Sequence, residues 1–293
     1  MTDDSTDLSP HDAFALLGHD LRVDILLALS DADNRSLPFT ELRQRVDERD
    51  SGKFNYHLSK LVDRFIAHNE DADEYRLLYP GHRVIDAIEN GVFHEQVTIA
   101  NVRLDATCHD CGSQLRFDYD TINAGRVSCP SCDRLLIGFP FDPGGLTDRD
   151  GQSVAVAFDR RTRSTWERAR ADVCPVCSGH VDAAFVDGSV DEAATHGLPV
   201  LVDFDCTQCS FFCHVPPGAM LVTHPDVVAF LTENGIDARE RRLWELPFVV
   251  DPGAITVTET DPWQVAVTVA ADDAARRAVF DDAVSVASFD VVR

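Results

Sequence analysis

Lysine is nearly missing from this chain. Only Lys53 and Lys60 occur in 293 residues, beside 24 arginines, 38 aspartates and 12 glutamates, for a formal net charge of -24. A chain this acidic repels itself in dilute buffer and stays soluble where salt screens the repulsion, which predicts a halophilic, high-salt cytoplasm. Codon bias toward arginine would account for the lysines but not for the net charge. Long apolar runs are lacking too. The best early stretch, AFALLGHDLRVDILLAL, is interrupted by His19, Asp20, Arg22 and Asp24, and nothing later reaches the roughly 18 uncharged residues that a membrane helix needs. The N-terminus, MTDDSTDLSP, is acidic and polar instead of basic and then apolar, so no secretory signal is expected. These absences predict a soluble cytoplasmic protein with no membrane partner. GxSxG, Walker, GxGxxG and HExxH motifs are absent, and the deaminase pattern fails because each proline follows the first cysteine of its pair. The expectation is therefore a protein that is not an enzyme.

Cysteine is what the chain does have. Nine cysteines in a reducing compartment point to metal or redox chemistry in place of a disulfide framework. Cys108 and Cys111 form one CxxC pair, followed after 17 residues by Cys129 and Cys132. Two residues between thiolates let a tight turn aim both sulfurs at one ion about 2.3 Å away, and the insert reads as a hairpin that brings the second turn opposite. The pattern recurs as Cys174 and Cys177, then Cys206 and Cys209, with an insert of 28 residues. After each second pair come an apolar strand, a Pro-Gly-Leu segment and an amphipathic stretch, which predicts a duplicated module of zinc ribbon plus helix. Two structural Zn2+ sites follow, each closed by four thiolates and so without an open position for hydrolytic chemistry. Cys213 aligns with Leu136 of the first copy and reads as a small core residue. His180 and His214 lie near the second site as possible substitutes for a cysteine.

Ahead of the cysteines the apolar period is helical. Ser9 and Pro10 start a short helix that ends near Gly18, and Leu21, Ile25, Leu26 and Leu29 give a second. Pro38 opens a third, with Phe39, Leu42 and Val46 inward. After a turn around Asp47 to Asp50 comes a fourth, capped by Asp50 or Ser51 and running to Arg64. On it Phe54, Leu58, Leu61, Val62 and Phe65 form one apolar stripe, while Ser51, Lys53, Asn55, Tyr56, Ser59 and Lys60 form a polar face of the residue types that read base edges and hold phosphates. His57 is expected as a half-buried packing residue. A hairpin then turns at Glu70 to Asp73, and a closing helix carries Val84, Ile85, Ile88 and Val92. From Pro38 to Phe65 six cations face five anions, so this stretch is +1 while the rest of the chain sums to -25.

That order of elements is a winged helix-turn-helix, and FNYHLSKLVDRFI resembles the recognition helix of ArsR-type regulators, a resemblance that covers about residues 8–95. The resemblance implies docking of the helix in the major groove of double-stranded DNA, with the hairpin beside the backbone and a homodimer reading two half-sites. Metal-sensing members carry a Cys-x-Cys pair in the preceding helix, which PFTELRQRV lacks, so metal sensing is not implied. The whole arrangement is also similar to winged-helix proteins of halophilic archaea with a zinc-binding C-terminal region. Toward the C-terminus, PDVVAFLTENG reads as a helix stopped by Gly235. Asp237 and Glu240 read as a capping box, and ITVTET, WQVAVTVA, ARRAVF and AVSVASFDV as an antiparallel meander.

The expected fold class is thus α+β and multidomain: residues 8–96 a winged helix-turn-helix, 97–173 and 174–246 two zinc-ribbon-plus-helix modules, and 247–293 a β-meander. The expected function is sequence-specific transcriptional regulation, with DNA-binding residues Ser51, Lys53, Asn55, Tyr56, Ser59 and Lys60. Two alternatives carry weight. Archaeal TFE-like factors pair a winged helix with a zinc ribbon and contact polymerase, which makes a basal scaffold on the transcription machinery the second reading. A CxxC thiol oxidoreductase is the third. Melting temperature is expected to rise as KCl goes from about 0.1 M to about 2 M, because screening removes like-charge repulsion; a fall over that range would count against the halophilic assignment.

Overall fold

In a computed structural model, which describes residues 8–191 and 197–292, the chain divides into two compact units, Met1–Glu95 and Gln96–Arg293. The acidic residues 1–7, where no signal is expected, lie outside the described residues.

The first unit begins with α1 (Pro10–Leu17), whose cap Ser9 accepts from the Asp12 N–H, and α2 (Asp20–Ser30), which buries Leu21, Ile25, Leu26 and Leu29. A strand that periodicity does not reveal follows, β1 (Ser36–Pro38), and then α3 (Phe39–Arg45) and α4 (Ser51–Leu61). The hairpin is β2 (Ile66–Asn69) and β3 (Glu74–Leu77), and α5 (Tyr79–Glu89) closes the unit, ending short of Val92. β3 is central in an antiparallel sheet ordered β1-β3-β2. β1 escapes the sequence pattern because three residues carry no period; the pairing of Leu37 with Tyr75 fixes it. α4 also stops earlier than Arg64. Val62 is extended and Asp63 adopts φ 62, a left-handed conformation that ends a helix, while its N–H bonds to the Ile66 carbonyl. Phe65 still reaches the core, from the turn and not from the helix.

The second unit is built on a repeat. In its first copy β4 (Ile99–Thr107), β5 (Gln114–Tyr119), β6 (Ala124–Ser128) and β7 (Leu135–Pro140) form one antiparallel sheet in chain order, followed by a 3-10 turn (Pro143–Leu146) and α6 (Gly151–Arg170). In the second, β8 (Val181–Asp187), β9 (Val200–Cys206) and β10 (Phe212–Val215) form a three-stranded sheet, followed by a 3-10 turn (Pro217–Leu221) and α7 (Pro225–Glu233). After α8 (Pro247–Val250) come β11 (Ile255–Thr260), β12 (Trp263–Ala271), β13 (Ala274–Phe280) and β14 (Val286–Val291), a meander in chain order.

The three stretches read from sequence as separate modules share one core. Phe158 of α6 meets Phe117 at 5.5 Å and Phe141 at 5.9 Å, while Phe185 of β8 meets Phe280 of the meander at 6.1 Å. A buried carboxylate ties α6 to the segment before α8. Asp159 accepts from the Leu243 N–H at 2.8 Å and from Arg163 Nε at 3.0 Å. Burial lifts this carboxyl above its ordinary range, and the Arg163 guanidinium and the Leu243 N–H hold it partly back. Residues 237–242 do not form the helix expected from Asp237 and Glu240. The Asp237 carboxylate binds its neighbour Arg239, and the cap falls one turn later, where Glu245 accepts from the Arg242 N–H at 2.6 Å.

Close backbone approach singles out Gly218, where an added Cβ would stand 1.7 Å from the Phe248 carbonyl oxygen. Gly218→Ala is expected to cost roughly 2–3 kcal/mol by overpacking. Gly138→Ala, whose Cβ meets nothing nearer than 3.5 Å, is expected to change stability by less than about 0.5 kcal/mol. Urea unfolding of the two variants checks both.

Candidate metal centres and the polar face of the fourth helix

Each CxxC pair occupies the same turn. The N–H of its first cysteine bonds to a carbonyl five residues on: Cys108 to Ser113 at 2.8 Å, Cys129 to Arg134 at 2.8 Å, Cys174 to Gly179 at 2.9 Å and Cys206 to Phe211 at 2.9 Å. Four residues after the first cysteine, Gly112, Asp133 and Ser178 take left-handed backbone, φ 71, 56 and 63, which curls the loop back on itself. In the first copy one turn joins β4 to β5 and the other β6 to β7, so the sheet carries both at one end.

The result is two tetracysteine clusters, Cys108, Cys111, Cys129 and Cys132 in one, Cys174, Cys177, Cys206 and Cys209 in the other, with all sulfurs of a cluster within 4.8 Å of one another. Individual separations are 3.8 Å for Cys108–Cys132, 3.4 Å for Cys111–Cys129, 3.6 Å for Cys174–Cys209 and 3.4 Å for Cys177–Cys206. These are too long for disulfides, whose sulfurs stand about 2.05 Å apart. Four sulfurs at about 2.3 Å from a tetrahedral ion stand about 3.8 Å from each other, so both clusters fit an ion such as zinc. Backbone N–H groups support the sulfurs, for example Val176 to Cys174 at 3.4 Å and Gln208 to Cys206 at 3.4 Å.

The titration of the first cluster explains what an ion would do there. The Ser113 hydroxyl and N–H pull Cys111 down to about 6, while hydrogen bonding to Cys129, with burial, pushes Cys132 up to about 12. One thiolate forms easily; crowding then opposes the rest, a conflict that a dication removes with release of protons.

Neither histidine joins a cluster. His180 faces Asp182 at 3.1 Å and His214 faces Asp203 at 3.4 Å. Cys213 is buried like its counterpart Leu136, and burial, with the carboxylates of Asp203 and Asp205, pushes its thiol up to about 12. It is the core residue that the repeat alignment implies.

On α4 the six polar residues Ser51, Lys53, Asn55, Tyr56, Ser59 and Lys60 are all exposed, while Phe54, His57, Leu58 and Leu61 are buried. Asp50 caps the helix, accepting from the Gly52 N–H at 2.8 Å and the Lys53 N–H at 3.0 Å, an interaction worth about 1 kcal/mol. His57 is more deeply set than the half-buried residue expected: its ring lies 3.9 Å from that of His19, and Arg22 Nε donates to its Nδ1 at 3.3 Å. Burial, then the charges of His19 and Arg22, hold it below the ordinary histidine range. Lys60 lies 5.6 Å over the Tyr56 ring. Sequence reasoning missed the partner of Lys53, whose Nζ pairs with Glu48 Oε2 at 2.7 Å. A spacing of five across a turn is not a helical pairing distance, so no pattern rule points to it.

The native protein is expected to carry two divalent ions per chain by elemental analysis. Cys111→Ser is expected to reduce this to one, and Cys213 to resist maleimide in the folded, metal-loaded protein. Four or more free thiols in that state would contradict the assignment.

Comparison with known proteins follows the same division. A family model described as a domain of unknown function (DUF7347) matches residues 10–88, within the first unit, and one described as a domain of unknown function (DUF7351) matches residues 105–286. No curated protein and no solved structure matches the chain. Residues 105–286 are more than half of the sequence and take in both tetracysteine clusters and most of the meander, so the chain belongs to the DUF7351 family.

Proposed function

We propose that this protein is a sequence-specific, non-enzymatic DNA-binding transcriptional regulator. Its first unit acts as a winged helix-turn-helix of ArsR type, and its two tetracysteine clusters hold structural zinc. The observation that carries the reading is the exposed polar face of α4, presented by a helix whose other side is locked into the core. Such a helix offers base-reading side chains at a fixed angle, as major-groove recognition requires. Asn55 and Tyr56 read base edges; Lys53, Lys60, Ser51 and Ser59 meet phosphates. Zinc is the ion that four thiolates at tetrahedral spacing favour, and with no open position it serves the fold and not a reaction. The regulator works as a homodimer on double-stranded DNA in the cytoplasm.

One observation favours a different partner. The hairpin tip carries Glu70, Asp71 and Asp73, a charge that faces phosphate badly, and a scaffold that docks on polymerase would not meet that repulsion. Genome-wide crosslinking in native salt separates the two: discrete sites support the regulator, while signal at most promoters together with polymerase supports the scaffold.

Lys53→Ala is expected to weaken binding to all sequences two- to fivefold, the loss being small because Glu48 already holds its ammonium. It is also expected to lower the salt slope by about 0.9. Asn55→Ala or Tyr56→Ala is expected to remove about 1–3 kcal/mol of discrimination at one base pair with little change in non-specific affinity. Binding-site selection with the three variants reads both effects, and the reverse pattern would overturn this division of roles along α4.

A further inference from the structure

Charge in the second unit is unevenly placed. From Gln96 to Arg293 the chain has 16 arginines against 30 acidic residues, yet α6 alone holds five of the arginines and only two of the acids. The helix is therefore +3 while the rest of the unit is -17. Both of its acids are already engaged: Asp159 is 1% exposed and bonded to Arg163, and Glu167 pairs with Arg170 at 3.3 Å. Those pairs neutralise Arg163 and Arg170 and leave Arg160, Arg161 and Arg168, all three exposed. Among the described residues no carboxylate pairs with any of the three. Arg161 donates to the Thr165 hydroxyl, and Arg168 to the carbonyls of Cys174 at 3.2 Å and Pro175 at 3.3 Å, partners that fix a guanidinium without neutralising it.

At 3.6 residues per turn Arg160, Arg161, Ser164 and Arg168 fall within about 100° of the helix circumference, with Ala157 between them. Arg160 and Arg168 are separated by about 12 Å along the axis, a length that spans about three to four phosphates of one DNA strand. No large apolar side chain of α6 is exposed, so the face lacks the aromatic or aliphatic anchor on which protein partners dock. A polar, positively charged face is instead the composition of nucleic-acid interfaces. In high salt the acidity around it does not cancel it. At about 1 M the screening length falls to about 3 Å, so carboxylates elsewhere on the unit no longer act at the face. An arginine fork in contact with a phosphate keeps its paired hydrogen bonds under the same conditions.

We propose that the face of α6 formed by Arg160, Arg161 and Arg168 binds the phosphate backbone of double-stranded DNA, independently of sequence. The inference rests on the DNA-binding reading of the chain and adds to it a second contact, apart from α4 and carrying no base recognition. The full chain is titrated with duplexes of differing sequence over the range of KCl in which it stays folded. Arg160→Gln combined with Arg161→Gln is the variant, since both side chains are exposed and Arg168, which holds the Cys174 turn, is left in place. It is expected to weaken binding to every duplex roughly threefold at the lowest salt and to lower the salt slope by about 1.8, with the order of preferred sequences and the melting temperature unchanged. Arg160→Lys combined with Arg161→Lys, which keeps the charge, is expected to restore the slope. An unchanged slope in the glutamine variant or a changed sequence preference would overturn the proposal. So would polyglutamate displacing the parent chain as well as a duplex of equal charge does, which would point to an acidic protein partner. If the parent prefers certain sequences and the glutamine variant binds as it does, this contact falls and the regulator reading stands; if the slope falls but no duplex is preferred, the contact stands and that reading falls.

Discussion

A single backbone hydrogen bond, repeated four times, is the constraint on which the second unit rests. By tying the N–H of the first cysteine to a carbonyl five residues later, each CxxC turn places two sulfurs side by side whatever the neighbouring side chains are. Two such turns at one end of a sheet then meet as four sulfurs. Strand register follows from this, because the hairpins that join the turns cannot slip by a residue without carrying two sulfurs away from the other two. Around these fixed points the aromatic core of Phe117, Phe141 and Phe158 fills the interior, and the Asp159 carboxylate, paired with Arg163, fastens α6 to the chain ahead of α8.

Electrostatics in the first unit works by local pairing against an acidic background. The charge surplus of the whole chain is large, yet the segment from Pro38 to Phe65 is close to neutral, and its cations are engaged from nearby: Lys53 by Glu48, Arg45 by Glu41, Lys60 by the Tyr56 ring. Exposed pairs of this kind contribute little to stability.

Local signals in the sequence carried much of this. Ser9 and Asp50 mark helix starts because a cap is chosen by the nearest few residues, and the buried stripe of α4 and the alternating strands of the meander follow from period alone. The cysteine spacing told which eight sulfurs meet, since each pair is a local turn and the repeat supplied the partner. What escaped depends on distant residues or on single backbone angles. β1 exists only because β3 pairs with it, α4 ends where Asp63 turns left-handed, and the cap expected at Asp237 yields to Arg239. The merging of three expected modules into one core rests on contacts such as Phe185 with Phe280, nearly a hundred residues apart.

The burial of the cysteines divides the first cluster in a way that matters for exchange. Cys108 and Cys129 are buried, while Cys111 and Cys132 are exposed; in the second, Cys174 is buried, Cys177 exposed, and Cys206 and Cys209 lie between. A competing chelator or thiol therefore meets any ion held there from the solvent side, through the second sulfur of a pair, and the inner sulfurs let go last. Lability is then set by the outward half of the cluster and retention by the inward half, so the speed with which an ion leaves and the strength with which it is held are separately adjustable in one turn.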